Sequence, residues 1–135
     1  MNELTIIVIT QKHVGTALVK AAKNIFGQLP IEIITVSVNY RVNPCSLVEK
    51  LQKVTNRLPE GRELLVLTDL YGSTPSNIAN RLTEVCTQKT RVIAGLNLPM
   101  LVKVLSAGQQ SLDEVSKTAV FGGRQGVLDC GCLAC

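Results

Sequence analysis

The chain has 135 residues, of which 46% are apolar and 18% charged, so it is long enough for one domain with a hydrophobic core and is not a disordered chain. Only 3% of the residues are aromatic, and the net charge of +4 is scattered along the sequence, so we do not expect nucleic-acid binding. No signal-peptide pattern opens the chain and no apolar run reaches the roughly 20 residues of a membrane helix, so we expect a cytoplasmic protein.

Strands and helices alternate through the first half of the sequence. Residues 4–10 are almost all Leu, Ile, Val and Thr, which predicts a strand buried on both faces. A helix with apolar residues at helical spacing follows from Val14 to a stop at Gly27, and residues 31–38 form a second predicted strand. Asn43 and Pro44 then resemble an N-cap followed by a proline in the first turn of a second helix.

The same alternation continues in the second half. Residues 63–68 and 91–95 are predicted strands, and Thr74 with Pro75 repeats the cap-and-proline pattern before a helix. Residues 98–107 predict a short helix, and the capping box at Ser111 begins another helix that we expect to stop at residues 122–123. Residues 125–129 predict a last short strand.

This order of elements predicts an α/β fold, a doubly wound and mostly parallel sheet with helices on both faces. We expect residues 1–129 to form the domain and the Cys-rich residues 130–135 to form a flexible tail. Ligands of such folds bind at the carboxyl ends of the strands, where the strand order reverses. The loops at residues 10–13 and 68–75 are therefore the candidate site.

The second of these loops carries groups that can hold an anion. Asp69 follows a buried strand, Gly72 permits unusual backbone angles, and Ser73 and Thr74 offer hydroxyls. The free N–H groups of the helix that begins at Pro75 attract anions. A phosphoryl group can be held there without metal or cofactor. The alternative is a tight turn closed by a threonine cap.

Two segments, residues 67–79 (LTDLYGSTPSNIA) and 95–101 (GLNLPML), resemble the two signatures of mannose-family IIA domains, which belong to the phosphoenolpyruvate-dependent sugar phosphotransferase system. The segment at 122–127 (GGRQGV) also resembles the end of such domains. The resemblance implies a homodimer with an antiparallel edge strand near the C-terminus. It implies a phosphohistidine carrier between the small protein HPr and a IIB domain, with the membrane reached only through transporter subunits.

Carried over residue by residue, the resemblance implies that Asp69 orients the histidine and that Ser73 and Thr74 bind phosphate at the start of a helix. It also implies that residues 97–100, with Asn97 and Met100, lie beside the site. Thr10 and Lys12 are expected to line it from the first loop.

The first loop departs from the family pattern. Aligning Thr10 and Gly15 places Gln11 where the family has its phosphorylated histidine, and Lys12 where the family has glycine. A glutamine amide cannot carry a labile phosphoryl group, which leaves open whether this chain is a transferase at all. We therefore expect a degenerate, regulatory IIA domain. The alternative is an active carrier that uses His13, the only histidine.

The cysteines support a third interpretation. Cys130, Cys132 and Cys135 have the spacing C-x-C-x-x-C, which can bind zinc or copper(I), although a disordered tail without metal is the simpler expectation. Cys45 and Cys86 fall on predicted amphipathic helices and are expected to be partly buried or core residues.

Overall fold

A computed structural model describes residues 3–132, a four-stranded sheet flanked by five helices. The strands are β1 (Leu4–Gln11), β2 (Glu32–Val38), β3 (Glu63–Thr68) and β4 (Thr90–Ala94). The helices are α1 (Val14–Phe26), α2 (Pro44–Asn56), α3 (Thr74–Val85), α4 (Leu98–Ser106) and α5 (Leu112–Gln125). No helix in the described residues is long and apolar enough to cross a membrane.

All pairings between the four strands are parallel, in the order β2-β1-β3-β4. The chain passes from β1 outward to β2, and then returns across β1 to β3 and β4. The strand order therefore reverses between β1 and β3, as the predicted doubly wound fold requires.

The period-two alternation of β1 and β3 builds two separate apolar layers. Ile6, Val8, Leu65 and Leu67 pack against α1, α4 and α5, whereas Ile7, Ile9, Leu64 and Val66 pack against α2 and α3. Residues 5–10 are all buried, which confirms that the first strand is covered on both faces. The two layers fix the carboxyl ends of β1 and β3 side by side.

Most predicted helix boundaries are confirmed by their caps. Gly27 ends α1. Asn43, directly before Pro44, caps α2 by accepting from the Ser46 N–H. Ser111 and Glu114 form the capping box of α5. These are local signals in which a side chain or a glycine satisfies the backbone groups that a helix end leaves open.

The C-terminal predictions were wrong in two places. α5 continues through Gly122 and Gly123 to Gln125, and both glycines lie where α5 meets α4. A Cβ on Gly122 would lie 2.5 Å from the Cβ of Lys103, so the glycine permits the close approach.

The predicted strand at 125–129 is also absent, and so is the antiparallel edge strand that the resemblance implied. Residues 127–129 are irregular and are followed by a 3₁₀ turn at Cys130–Cys132. Within residues 3–132 nothing pairs with the outer edge of β4, and a strand forms only with a partner. The rest of the predicted tail, residues 133–135, lies outside the described residues.

Candidate functional site at the carboxyl edge of the sheet

The loops after β1 and β3 meet at the reversal point of the strand order. β1 ends at Gln11, and β3 ends at Thr68 with Asp69 directly after it. A backbone N–H of the first loop donates to a side chain of the second, from Gln11 N to Asp69 Oδ2 at 2.8 Å. The structure therefore brings together the two loops that the sequence selected.

The turn after β1 is held by a buried threonine. Thr10 Oγ1 accepts from the Gly15 N–H at 2.7 Å and donates to the Gln11 carbonyl at 2.8 Å. A Cβ on Gly15 would lie 2.6 Å from Val8 Cγ1, so only glycine lets α1 start this close to β1. Thr10 is thus a positioning residue beneath the site rather than an exposed ligand.

Asp69 acts as the clamp between the loops. Its Oδ2 accepts from Gln11 N and its Oδ1 accepts from Leu70 N, both at 2.8 Å. No hydrogen bond joins the side chains of Gln11 and Asp69, and both residues are described. Hydrogen bonds to an ionised carboxylate are about twice as strong as neutral ones, so the clamp fixes the backbone of residue 11.

The start of α3 has a different cap from the one predicted. Ser73, not Thr74, is the N-cap: Ser73 Oγ accepts from the Ser76 N–H and donates to the Leu70 carbonyl at 2.6 Å. Both residues carry hydroxyls, but only the Ser73 hydroxyl hydrogen-bonds to the Leu70 carbonyl. Thr74 is exposed at the first position of α3. The Thr74 hydroxyl makes no hydrogen bond within the described residues, whereas the Ser73 hydroxyl makes two in the turn.

The loop after β4 joins the same edge through backbone bonds. Gly95 N donates to the Asp69 carbonyl at 2.9 Å, with a positive φ of 93° at Gly95. Asn97 then caps α4, accepting from the Met100 N–H and donating to the Gly123 carbonyl at 3.1 Å. Met100 is only 3% exposed and lies in the core, so its side chain does not line an open site.

Lys12 and His13 follow β1, and neither side chain contacts Asp69 through a hydrogen bond or an ion pair within the described residues. Lys12 N donates to the Val38 carbonyl at 3.0 Å, and no ion pair joins Lys12 to Asp69. His13 is the only non-glycine residue with positive φ within residues 3–132, at 75°. It occupies the N-cap position of α1 without a side-chain capping bond, and it is exposed.

Other side chains at this edge were not selected from the sequence. Asn39, Tyr40 and Arg41, after β2, share a cleft with Gln11 and Lys12. Leu70 and Tyr71 are 67% and 81% exposed beside Asp69. Leu70 and Tyr71 could have been noticed in the sequence, because large apolar side chains are unusual in a polar loop. The loop after β2 could not have been selected from the sequence, because only the strand order of the folded sheet places β2 next to β1.

The thiols lie away from this arrangement. Cys45 is exposed, contrary to the core position considered for it, and its Sγ accepts from Arg81 at 3.2 Å, which raises the pKa of the Arg81 guanidinium. Cys86 is half-buried next to Thr90. Among the described side chains no three His, Cys, Asp or Glu residues converge as metal ligands. Cys135 lies outside the described residues.

A doubly wound sheet with a clamped aspartate and a hydroxyl-rich helix start at its reversal point is the arrangement that the resemblance to IIA domains of the sugar phosphotransferase system implied. The family model described as "PTS system fructose IIA component" matches residues 5–120. The chain therefore belongs to the mannose and fructose IIA family of that system.

Curated relatives and solved structures are similar to this chain in sequence and in fold, respectively. The mannose-specific EIIAB component of Escherichia coli K12 is 39% identical over 87 residues, which are 63% of this chain and 27% of that protein. The chain thus matches about a quarter of its curated relative. The mannose/sorbose-specific IIA subunit from Enterococcus faecalis has a TM-score of 0.82 at 25% identity, covering 96% of this chain and 95% of that one. The EIIA component from Streptococcus agalactiae also scores 0.82, at 23% identity and 95% and 98% coverage.

Proposed function

We propose that this IIA component binds the carriers of the phosphotransferase system without accepting their phosphoryl group, and so acts as a regulatory docking module. The observation that carries the proposal is Gln11, at the end of β1, with its backbone N–H 2.8 Å from Asp69. The family resemblance assigns this position to the phosphorylated histidine. The lone pair of an amide nitrogen is delocalised into its carbonyl, so Gln11 offers no nucleophile to the incoming phosphorus atom.

The surroundings of Gln11 retain what docking requires. The clamp at Asp69 and the cap at Ser73 keep the loops in place, and Thr74 offers a hydroxyl at the start of α3. Leu70 and Tyr71 form an exposed apolar rim beside them. An apolar surface next to hydrogen-bonding groups is the usual composition of a protein-binding surface. By resemblance the partners are HPr and a IIB domain.

His13 supports an alternative, an active carrier that uses a histidine two positions further along. Its exposure and its strained backbone favour this alternative, since strained residues cluster at functional sites. Its disadvantage is position, because it begins α1 and makes no hydrogen bond to Asp69.

The proposal extends to assembly and location. Exposed Phe121, Val127 and Leu128 near the end of α5 lie at the part of the fold that carries the homodimer contact in the resemblance, so we include a homodimer. The free thiols of Cys45 and Cys86 suit a reducing compartment, which supports the cytoplasm. Sedimentation equilibrium tests the dimer, and a monomer at micromolar concentration would contradict it.

Titration of the ¹⁵N-labelled chain with unphosphorylated HPr tests docking directly. We expect shifted amide signals at residues 11–13 and 70–74, and loss of binding in Tyr71→Asp. Ile25→Asp is the matched control, because Ile25 is also exposed, at 58%, but lies near the far end of α1. No binding of HPr, or equal loss in both variants, would contradict the proposal.

A further inference from the structure

A second polar cleft opens on the other side of β1 from Asp69. It has a volume of about 530 Å³ and lies between the carboxyl ends of β1 and β2. Its lining residues are Gln11, Lys12, Val38, Asn39, Tyr40 and Arg41. The clamped loop of Asp69 follows β3, the neighbour of β1 on the opposite side. The two sites therefore share Gln11 but have separate walls.

Hydrogen bonds hold both walls of the cleft. Lys12 N donates to the Val38 carbonyl at 3.0 Å, which closes the pairing of β1 with β2 at its last pair, Gln11 and Val38. The Asn39 side chain accepts from Arg41 N at 2.9 Å, and the Asn39 carbonyl accepts from Val42 N at 3.1 Å. The loop after β2 is thus closed on itself, so a ligand need not order it.

The cleft is lined by two cationic side chains, Lys12 and Arg41. The Arg41 guanidinium carbon lies 5.7 Å from the centre of the Tyr40 ring, a cation–π contact that does not use the N–H donors of the guanidinium. Lys12 lines the wall that β1 forms, and it has no ion-pair partner within residues 3–132. No carboxylate is among the six lining residues, and none of the ion pairs in the described part of the chain involves Lys12 or Arg41.

We propose that this cleft binds a phosphate monoester dianion. Lysine supplies a point charge and arginine a planar fork of N–H donors, a pair that suits the charge and the oxygens of a phosphate group. The Gln11 amide and the Tyr40 hydroxyl offer further donors. The phosphate can belong to a free small molecule or to a phosphorylated side chain of a protein that docks at the Asp69 site. The second source rests on the proposed function, whereas the cleft itself does not.

Titration of the full ¹⁵N-labelled chain with inorganic phosphate at low ionic strength tests the cleft, because exposed charges are screened by salt. We expect saturable shifts of the amides of Gln11, Lys12 and Arg41. The double variant Lys12→Gln/Arg41→Gln is expected to bind roughly tenfold more weakly. Lys53→Gln/Arg57→Gln is the matched control, since it removes the same charges from exposed residues at the other end of α2.

Shifts that grow linearly without saturation, shifts confined to residues 70–76, or equal weakening in both double variants would overturn the proposal. A second titration, with HPr in its phosphorylated and unphosphorylated forms, distinguishes the two sources. Tighter binding of the phosphorylated form, lost in Lys12→Gln/Arg41→Gln, assigns the cleft to a protein-borne phosphate. Saturable phosphate binding with no preference between the two forms assigns it to a free phosphorylated molecule, and a failure of HPr to bind at all contradicts only the docking proposal.

Discussion

Asp69→Asn should loosen the carboxyl edge of the sheet. The carboxylate accepts two backbone N–H groups, from Gln11 and Leu70, both at 2.8 Å. An asparagine amide has one oxygen, so one of the two N–H groups would face an NH₂ donor instead. Hydrogen bonds to a charged group contribute about 1.5–3 kcal/mol each, and a partly exposed site lies at the low end. We therefore expect a loss of about 2 kcal/mol in the free energy of unfolding.

Urea denaturation measures this loss, with Asp113→Asn as the control. At a slope of about 2 kcal/mol/M, a loss of 2 kcal/mol lowers the midpoint by about 1 M. Asp113 forms one exposed ion pair with Arg91 at 2.9 Å, and such pairs contribute about 0–1 kcal/mol. If Asp69→Asn lowered the midpoint no more than Asp113→Asn, the clamp would not hold the two loops together.

Three further predictions concern stability. Gly122→Ala should cost about 2 kcal/mol in thermal denaturation, since its Cβ would lie 2.5 Å from that of Lys103. Gly123→Ala should be near neutral, because its nearest neighbour is the flexible end of Met100; equal effects would refute this account of the α4–α5 contact. His13→Gly should stabilise by about 1 kcal/mol by relieving the positive φ, whereas His13→Ala should not, and a stabilising alanine would contradict the strain. Hydrogen bonding to Ser111 holds the pKa of Glu114 below its ordinary value, so the ionised carboxylate stabilises the fold fully above the ordinary pKa. This contribution is lost as the pH falls through the lower pKa of the folded state. Glu114→Gln should therefore flatten the fall in stability at acid pH, and an unchanged fall would contradict the role of this hydrogen bond.

The sequence was sufficient for features that depend on local signals. The buried run of β1, the caps at Asn43 and Ser111, and the candidate loop at Asp69 all follow from neighbouring residues and are present. Where a residue's role depends on a distant partner, the prediction was wrong or missing. Gly122 permits helix contact rather than ending α5, and Arg41 lies in a cleft with Gln11 and Lys12 only because β2 pairs with β1.

The sequence also does not decide between Gln11 and His13 as the residue that meets a phosphoryl group. Gln11 and His13 are two positions apart, and sequence spacing alone cannot say which side chain meets an incoming phosphoryl group. The structure adds that Asp69 holds the backbone of Gln11, while His13 begins α1. We therefore expect that a nucleophile placed at position 11, and not the histidine at 13, would complete the site.

Intact-mass spectrometry at neutral pH measures which of the two residues accepts a phosphoryl group. The parent chain, Gln11→His and His13→Ala would each be incubated with phosphoenolpyruvate, enzyme I and HPr. We expect no adduct on the parent or on His13→Ala, and a single acid-labile phosphoryl group on Gln11→His. A phosphoryl group on the parent that disappears in His13→Ala would contradict this expectation and establish His13 as the acceptor.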